Sequence, residues 1–132
     1  WMRYARAVTG ISQQELADAL HVAVRTVKRW EHPGQAEPPA DVLEWLRRAV
    51  DAHERDVHDA VDGALQQRLD GRDTLFLDWY RNQGQADLDG QGVPVGYANA
   101  VTRDAARKLA DLGANVAIRF PGEEVQHMQR MD

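Results

Sequence analysis

Residues 12–31 read SQQELADALHVAVRTVKRWE, and this stretch fits two short amphipathic helices joined by a tight turn. The Ser12 side chain can accept a hydrogen bond from the backbone N–H of Glu15, while the Glu15 carboxylate reaches back to the N–H of Ser12. Ile11 stands just before this cap, where it can pack against Leu16. The pattern therefore gives the first helix a defined beginning.

The first helix ends where the chain must bend, at His21. Its apolar stripe consists of three residues at helical spacing, Leu16, Ala17 and Leu20. Histidine enters the left-handed region of backbone conformation more readily than most residues other than glycine. We therefore expect a turn at His21 and a second helix after it.

The second helix has two chemically different faces. At about 100° per residue, one side gathers Thr26, Val27 and Trp30, and the opposite side gathers Val24, Arg25, Lys28 and Arg29. Arginine and lysine donate hydrogen bonds to phosphate oxygens and to the O6 and N7 atoms of guanine in the major groove. The pattern favours a helix that is anchored by one face and presents cations to double-stranded DNA. A solvated surface face is the simpler alternative.

Several of these residues resemble the helix-turn-helix of Cro/repressor-type regulators of the Xre family. They are Leu16-Ala17, the turn at His21-Val22, Val27 and Trp30-Glu31, and the resemblance covers roughly residues 3–48. The chain differs from the family at His21, where glycine is usual, and at Ala23, where serine or threonine is usual. The resemblance implies that Gln13 contacts the DNA backbone. It also implies that the groove is faced by Val24, Arg25, Lys28 and Arg29.

The charge of the 132-residue chain is unevenly distributed, and the net charge is −5. Residues 1–48 hold seven Lys/Arg and six Asp/Glu, whereas residues 49–132 hold nine and fifteen. An acidic second half lowers non-specific attraction to DNA without preventing a local cationic helix from docking. The absence of cysteine excludes disulfides and favours a reducing, cytoplasmic location. No apolar run approaches the roughly 18 residues of a membrane span.

A long helical pattern runs over residues 40–69. Its apolar positions alternate in three- and four-residue steps, as in a packed helix pair, at Leu43, Leu46, Val50, His53, Val57, Ala60 and Ala64. Gly63 could break this helix in two. A shorter helix is expected over residues 2–8, with Tyr4 on the core side and Arg6 outward.

The second half of the chain predicts a strand, a helix and another strand. Residues 74–80 and 115–120 alternate as strands do, residues 97–112 form an amphipathic helix, and the glycine-rich residues 81–96 are expected to form a long mobile loop. This order is typical of a parallel strand pair with a helical crossover. The predicted fold is a mainly α N-terminal helix-turn-helix domain followed by a small α/β dimerisation segment.

We divide the chain into a DNA-binding domain (1–48), a helical connector (49–72) and a dimerisation domain (73–132). Two strands under one helix leave sheet edges open, and a second subunit would cover them. The segment from Phe76-Leu-Asp-Trp-Tyr80 through Asp104 to Phe120 also resembles the C-terminal dimerisation segment of anti-CRISPR-associated and related small repressors. Both observations indicate a homodimer.

The sequence offers no arrangement typical of catalysis. Ser12, the only serine, is used by the helix cap. Residues 87–98 loosely match an EF-hand loop, but Ala98 stands where a bidentate carboxylate is needed. His53 and His58 are five residues apart, not the three or four that place two imidazoles on one helix face. We therefore expect no enzyme activity, no cofactor and no metal.

The sequence favours a homodimeric repressor that binds an inverted-repeat operator. One alternative is an antitoxin-type interaction protein whose acidic half binds a basic protein partner. Another is a ligand-responsive regulator with an effector cleft beneath residues 81–96. The expected DNA-binding residues are Gln13, Val24, Arg25, Lys28 and Arg29.

Overall fold

The structure is a computed structural model that describes residues 1–122. Within that range the chain forms six helices and two strands, which are α1 (Met2–Thr9), α2 (Gln13–Leu20), α3 (Val24–Glu31), α4 (Ala40–Leu69), β1 (Thr74–Asp78), α5 (Gln83–Leu88), α6 (Val95–Asp111) and β2 (Asn115–Arg119). No helix in the described part of the chain is both long enough and apolar enough to cross a membrane.

The small sheet consists of β1 and β2, which run parallel from Thr74 opposite Asn115 to Asp78 opposite Arg119. The connection between them passes through α5 and α6. A parallel pair requires such a crossover, because its strands enter from the same end of the sheet. The predicted mainly helical fold with a strand-helix-strand unit is confirmed.

Helix α4 extends from Ala40 to Leu69 without a break, and it joins the two main apolar cores. The spacing between its buried residues is made up of three- and four-residue steps. These residues are Val42, Leu46, His53, Val57 and Ala64. Leu46 belongs to the core formed with α1, α2 and α3. Val57 belongs to the core beneath the sheet. Gly63 does not interrupt the helix.

Helix α1 packs differently from the expectation for residues 2–8. Tyr4 is 63% exposed, and the buried residues are Met2, Ala5 and Thr9. Thr9 is tolerated in the core because its hydroxyl donates to the carbonyl of Ala5 at 2.7 Å. Arg6, expected to point outward, is half-buried because a carboxylate from α3 binds it. The predicted orientation of Tyr4 and Arg6 was therefore wrong.

The glycine-rich stretch at 81–96 contains the short helix α5, where a loop was expected. The Asn82 side chain begins this helix by accepting from the backbone N–H of Gln85 at 2.9 Å. The Gln83 amide then donates to the carbonyl of Val93 at 3.0 Å and accepts from the N–H of Val95 at 2.8 Å. These side-chain bonds hold the segment against the beginning of α6.

Helix α6 also contacts the N-terminal part of the chain. Tyr97 lies in the same core as Leu16 and Val27. The Arg103 guanidinium donates to the carbonyl of Val8, near the end of α1, at 3.1 Å. That carbonyl lies in the last turn of α1, where carbonyls have no partner within the helix. Tyr97, a residue of the predicted dimerisation domain, therefore completes the N-terminal core.

Candidate nucleic-acid interface

The beginning of α2 has the predicted capping box. The N–H of Glu15 donates to the Ser12 hydroxyl at 3.0 Å, and the N–H of Ser12 donates to the Glu15 carboxylate at 2.9 Å. Ile11 and Leu16 are buried in the same core, as expected of a hydrophobic staple. The orientation of α2 is thus fixed at its first turn.

The turn between α2 and α3 is centred on His21, which has φ 57° and ψ 41°. The N–H of His21 donates to the carbonyl of Asp18 at 3.3 Å, and the N–H of Val22 donates to that of Ala17 at 3.0 Å. These two bonds define a Schellman motif, which ordinarily has glycine at the left-handed position. The predicted turn at His21 is confirmed.

Helix α3 is held by one face. Val27 is fully buried, and Thr26 and Trp30 are half-buried on the same side. Val24 is half-buried and packs against the edge of the same core. The side chains of the three cations, Arg25, Lys28 and Arg29, are exposed and form no hydrogen bond or ion pair with residues 1–122. The predicted division of α3 into an anchored and a cationic face is present for the three cations, whereas Val24, expected on the cationic face, packs against the core.

Glu31, the last residue of α3, is bound by a buried cluster that sequence reasoning missed. Its side chain is 2% exposed, and one edge of the Arg6 guanidinium donates to both of its oxygens, Nε to Oε2 at 2.5 Å and Nη2 to Oε1 at 2.6 Å. Gln13 donates to Glu31 Oε1 at 3.2 Å. Burial acts to raise the pKa of Glu31, but the bonds from Arg6 and Gln13 outweigh it and hold this pKa below its ordinary value.

The sequence does contain one indication of this cluster. Glu31 lies four residues after Val27, so both share one helix face, and a carboxylate on a buried face requires a cation. Gln13, expected at the DNA backbone, is half-buried and directed at Glu31. A primary amide has two N–H donors, so this bond leaves one of them available. The DNA contact of Gln13 stays a prediction.

Ala23, the N-cap residue just before helix α3, provides no side-chain cap. Ala23 has φ −72° and ψ 145°, the extended conformation of an N-cap residue. We expect Ala23→Ser to raise the free energy of unfolding by about 1 kcal/mol, because the serine hydroxyl can accept a hydrogen bond from a backbone N–H in the first turn of α3. Urea unfolding measures the change. Ala19→Ser, at an exposed position inside α2, is the matched control, and an equal response in the two variants would contradict the capping explanation.

A cavity of about 620 Å³ lies between α4, the end of β1 and α6. Its walls include Asp56, Asp59, Asp78, Tyr80 and Tyr97. The Tyr97 hydroxyl donates to Asp56 at 2.6 Å, and burial together with this bond raises the pKa of Tyr97. This cavity lies next to the segment 81–96, where the sequence predicted an effector cleft; its use as an effector site stays a prediction.

No protein-family model matches this chain, and no curated protein or solved structure matches it either. The geometry of α2, the His21 turn and α3 is therefore the basis for any assignment of function.

Proposed function

We propose that this protein is a sequence-specific DNA-binding transcriptional regulator, a cytoplasmic repressor that binds an inverted-repeat operator as a homodimer. One observation carries the proposal. Helix α3 is anchored by Val27 on one face and exposes Arg25, Lys28 and Arg29, without partners among residues 1–122, on the other. Exposed cations aligned on a short anchored helix suit the negative phosphates and guanine edges of a DNA groove.

The dimensions of the α2–α3 unit also support this proposal. An α-helix such as α3 is about 10–12 Å across with its side chains. A helix enters the major groove, which is about 12 Å wide. In a helix-turn-helix the second helix lies in this groove while the first crosses the backbone. We assign α3 to the groove and α2 to the backbone.

The contacts that we propose differ in chemistry. Arg25, Lys28 and Arg29 read base edges, and Val24 makes an apolar contact such as with a thymine methyl group. Gln13 uses the N–H that Glu31 does not bind to reach a phosphate. The buried Arg6–Glu31 pair keeps the end of α3 on α1, so it positions the cations without touching DNA.

Selection from a random pool of duplexes tests this function. The expected product is an inverted repeat whose affinity falls steeply with salt concentration. On that site Lys28→Ala should weaken binding by about 1–3 kcal/mol and relax preference at one base position. Arg68→Ala, at an exposed position in the last turn of α4, is the matched control and should leave affinity unchanged. A pool without any enriched sequence would overturn the proposal, and equal weakening on every sequence would reassign Lys28 to phosphate.

A further inference from the structure

The two edges of the β1–β2 sheet differ in how their backbone groups are bound. The N–H of Trp79, just beyond β1, donates to the carbonyl of Arg119 at 2.8 Å. Within a strand the N–H and C=O of one residue point to the same side, and this side alternates along the chain. Phe76 and Asp78 therefore direct their backbone groups to the outer edge of β1. By the same alternation, Val116 and Ile118 direct theirs to the outer edge of β2.

The outer edge of β1 is closed by side chains. The Gln67 amide of α4 binds both backbone groups of Phe76, each at 3.0 Å. The Thr102 hydroxyl of α6 donates to the carbonyl of Asp78 at 2.6 Å. Beyond the strand, the Asn99 amide binds the N–H of Tyr80 at 2.9 Å and its carbonyl at 2.7 Å. These bonds occupy the groups that another strand would need.

The outer edge of β2 has no such cover within residues 1–122. The sheet there has the order β1-β2, so β2 pairs with β1 alone. Ile118 is 42% exposed on this edge, on the same sheet face as the buried Leu77 opposite it. An open strand edge with an exposed apolar side chain is a template for another strand. Because the outer edge of β1 is closed, a further strand would pair with the outer edge of β2.

We propose that the outer edge of β2 is a self-association surface, on which the β2 strand of a second copy pairs antiparallel about a two-fold axis at Ala117. In this register Val116 of each copy exchanges both backbone hydrogen bonds with Ile118 of the other. The two sheets then form one continuous sheet. This inference names the surface of the homodimer in the proposed function, but its evidence is the sheet and not the DNA-binding helix.

The sequence of β2 identifies a second copy as the occupant. Asn115-Val-Ala-Ile-Arg119 has polar ends and an apolar centre, so it matches itself when reversed. Centred on Ala117, the pairing places the Arg119 cation opposite neutral Asn115, and no like charges meet. Val116 and Ile118, both β-branched, become cross-strand neighbours, a favourable pairing. The exposed side of Ile118 is covered in the same step.

Cysteine cross-linking tests both the surface and the register, because the natural chain has no cysteine. Ala117 would face its own copy at a non-hydrogen-bonded position, where Cα atoms lie about 4.5 Å apart, within the range that a disulfide spans. Under mild oxidation without DNA, Ala117→Cys should form disulfide-linked dimers at least about tenfold faster than Ile118→Cys, whose thiol would face Val116 instead. Equal or reversed rates would overturn the register.

Sedimentation equilibrium of the full chain, also without DNA, measures the association itself. We expect a dimer for the natural chain and a dissociation constant about 30-fold higher for Ile118→Lys. Leu69→Lys, at another exposed apolar position, should not change it. Circular dichroism shows whether each variant retains its fold. A monomeric natural chain, or an Ile118→Lys variant that is folded and dimerises normally, would overturn the inference.

The outcome separates this inference from the proposed function. A dimer through β2 that selects no DNA sequence retains the surface and rejects the regulator. A monomer that selects a DNA sequence rejects the surface and the homodimer but retains the sequence-specific DNA binding.

Discussion

Replacing Arg6 with alanine should lower the free energy of unfolding at pH 7 by about 3 kcal/mol, because it removes one partner of a buried ion pair. The Glu31 side chain, 2% exposed in the natural chain, would lose the guanidinium that binds both of its carboxylate oxygens. The single hydrogen bond from Gln13 at 3.2 Å does not replace the two hydrogen bonds from Arg6. Because Glu31 ends α3, the variant should also loosen the helix that carries the proposed DNA-binding residues.

The effect of Arg6→Ala depends on pH in a definite direction. In the natural chain the pKa of Glu31 lies below its ordinary value of 4.5. Its ionised form therefore stabilises the fold above the unfolded pKa, and this contribution is lost as the pH falls through the lowered pKa. Without Arg6 the pKa of Glu31 rises, because burial remains and the main opposing bonds are gone. Protonation then relieves the unpaired charge, so the difference between the two chains shrinks below about pH 4.

Denaturant unfolding at pH 7 and pH 3.5 measures this difference. Arg3→Ala is the matched control, because Arg3 is 68% exposed and its Nε lies 4.0 Å from Glu31. It should change stability by less than about 1 kcal/mol. The double variant Arg6→Ala/Glu31→Gln should recover part of the loss, since no charge is left unpaired. If Arg6→Ala cost no more than Arg3→Ala at pH 7, the cluster would not stabilise the fold.

The features that sequence reasoning predicted correctly depend on residues close together in the chain. The Ser12–Glu15 capping box, the left-handed turn at His21 and the extent of α4 follow from local rules of capping, turn chemistry and periodicity. The faces of α3 follow from helical geometry in the same way. These rules placed the proposed DNA-binding surface before any contact between helices was known.

The features that it missed depend on contacts between distant segments. Arg6 and Glu31 are separated by 25 residues, and nothing local to Arg6 shows that a carboxylate will cover it. The closure of the β1 edge by Gln67 requires knowledge of how α4 lies along the sheet. Helix α5 has six residues, too short for its periodicity to be recognised within a glycine-rich stretch.

The end of α1 and the beginning of α6 approach closely at Gly10 and Gly96. Among substitutions of glycine by alanine, we expect Gly10→Ala to lower the stability of the fold most. A Cβ at Gly10 would overlap the carbonyl oxygen of Gly96 and lie 2.7 Å from the Cβ of Ala100. Gly10 also has φ +71°, a conformation that disfavours any residue with a Cβ. Overlap and strain together should cost about 3–4 kcal/mol.

Two further variants separate overlap from strain in the Gly10→Ala effect. Gly113→Ala is the control for strain, since Gly113 has φ +80° with nothing within 4 Å of an added Cβ, and it should cost about 1–2 kcal/mol. Gly96→Ala tests overlap alone, because Gly96 lies within α6 and its Cβ would meet the carbonyl of Gly10. If all three variants lost equal stability in urea unfolding, the approach of α1 to α6 would be too loose to matter. If Gly10→Ala and Gly96→Ala each lose more stability than the φ angle of the replaced glycine explains, close backbone contact holds α1 and α6 together.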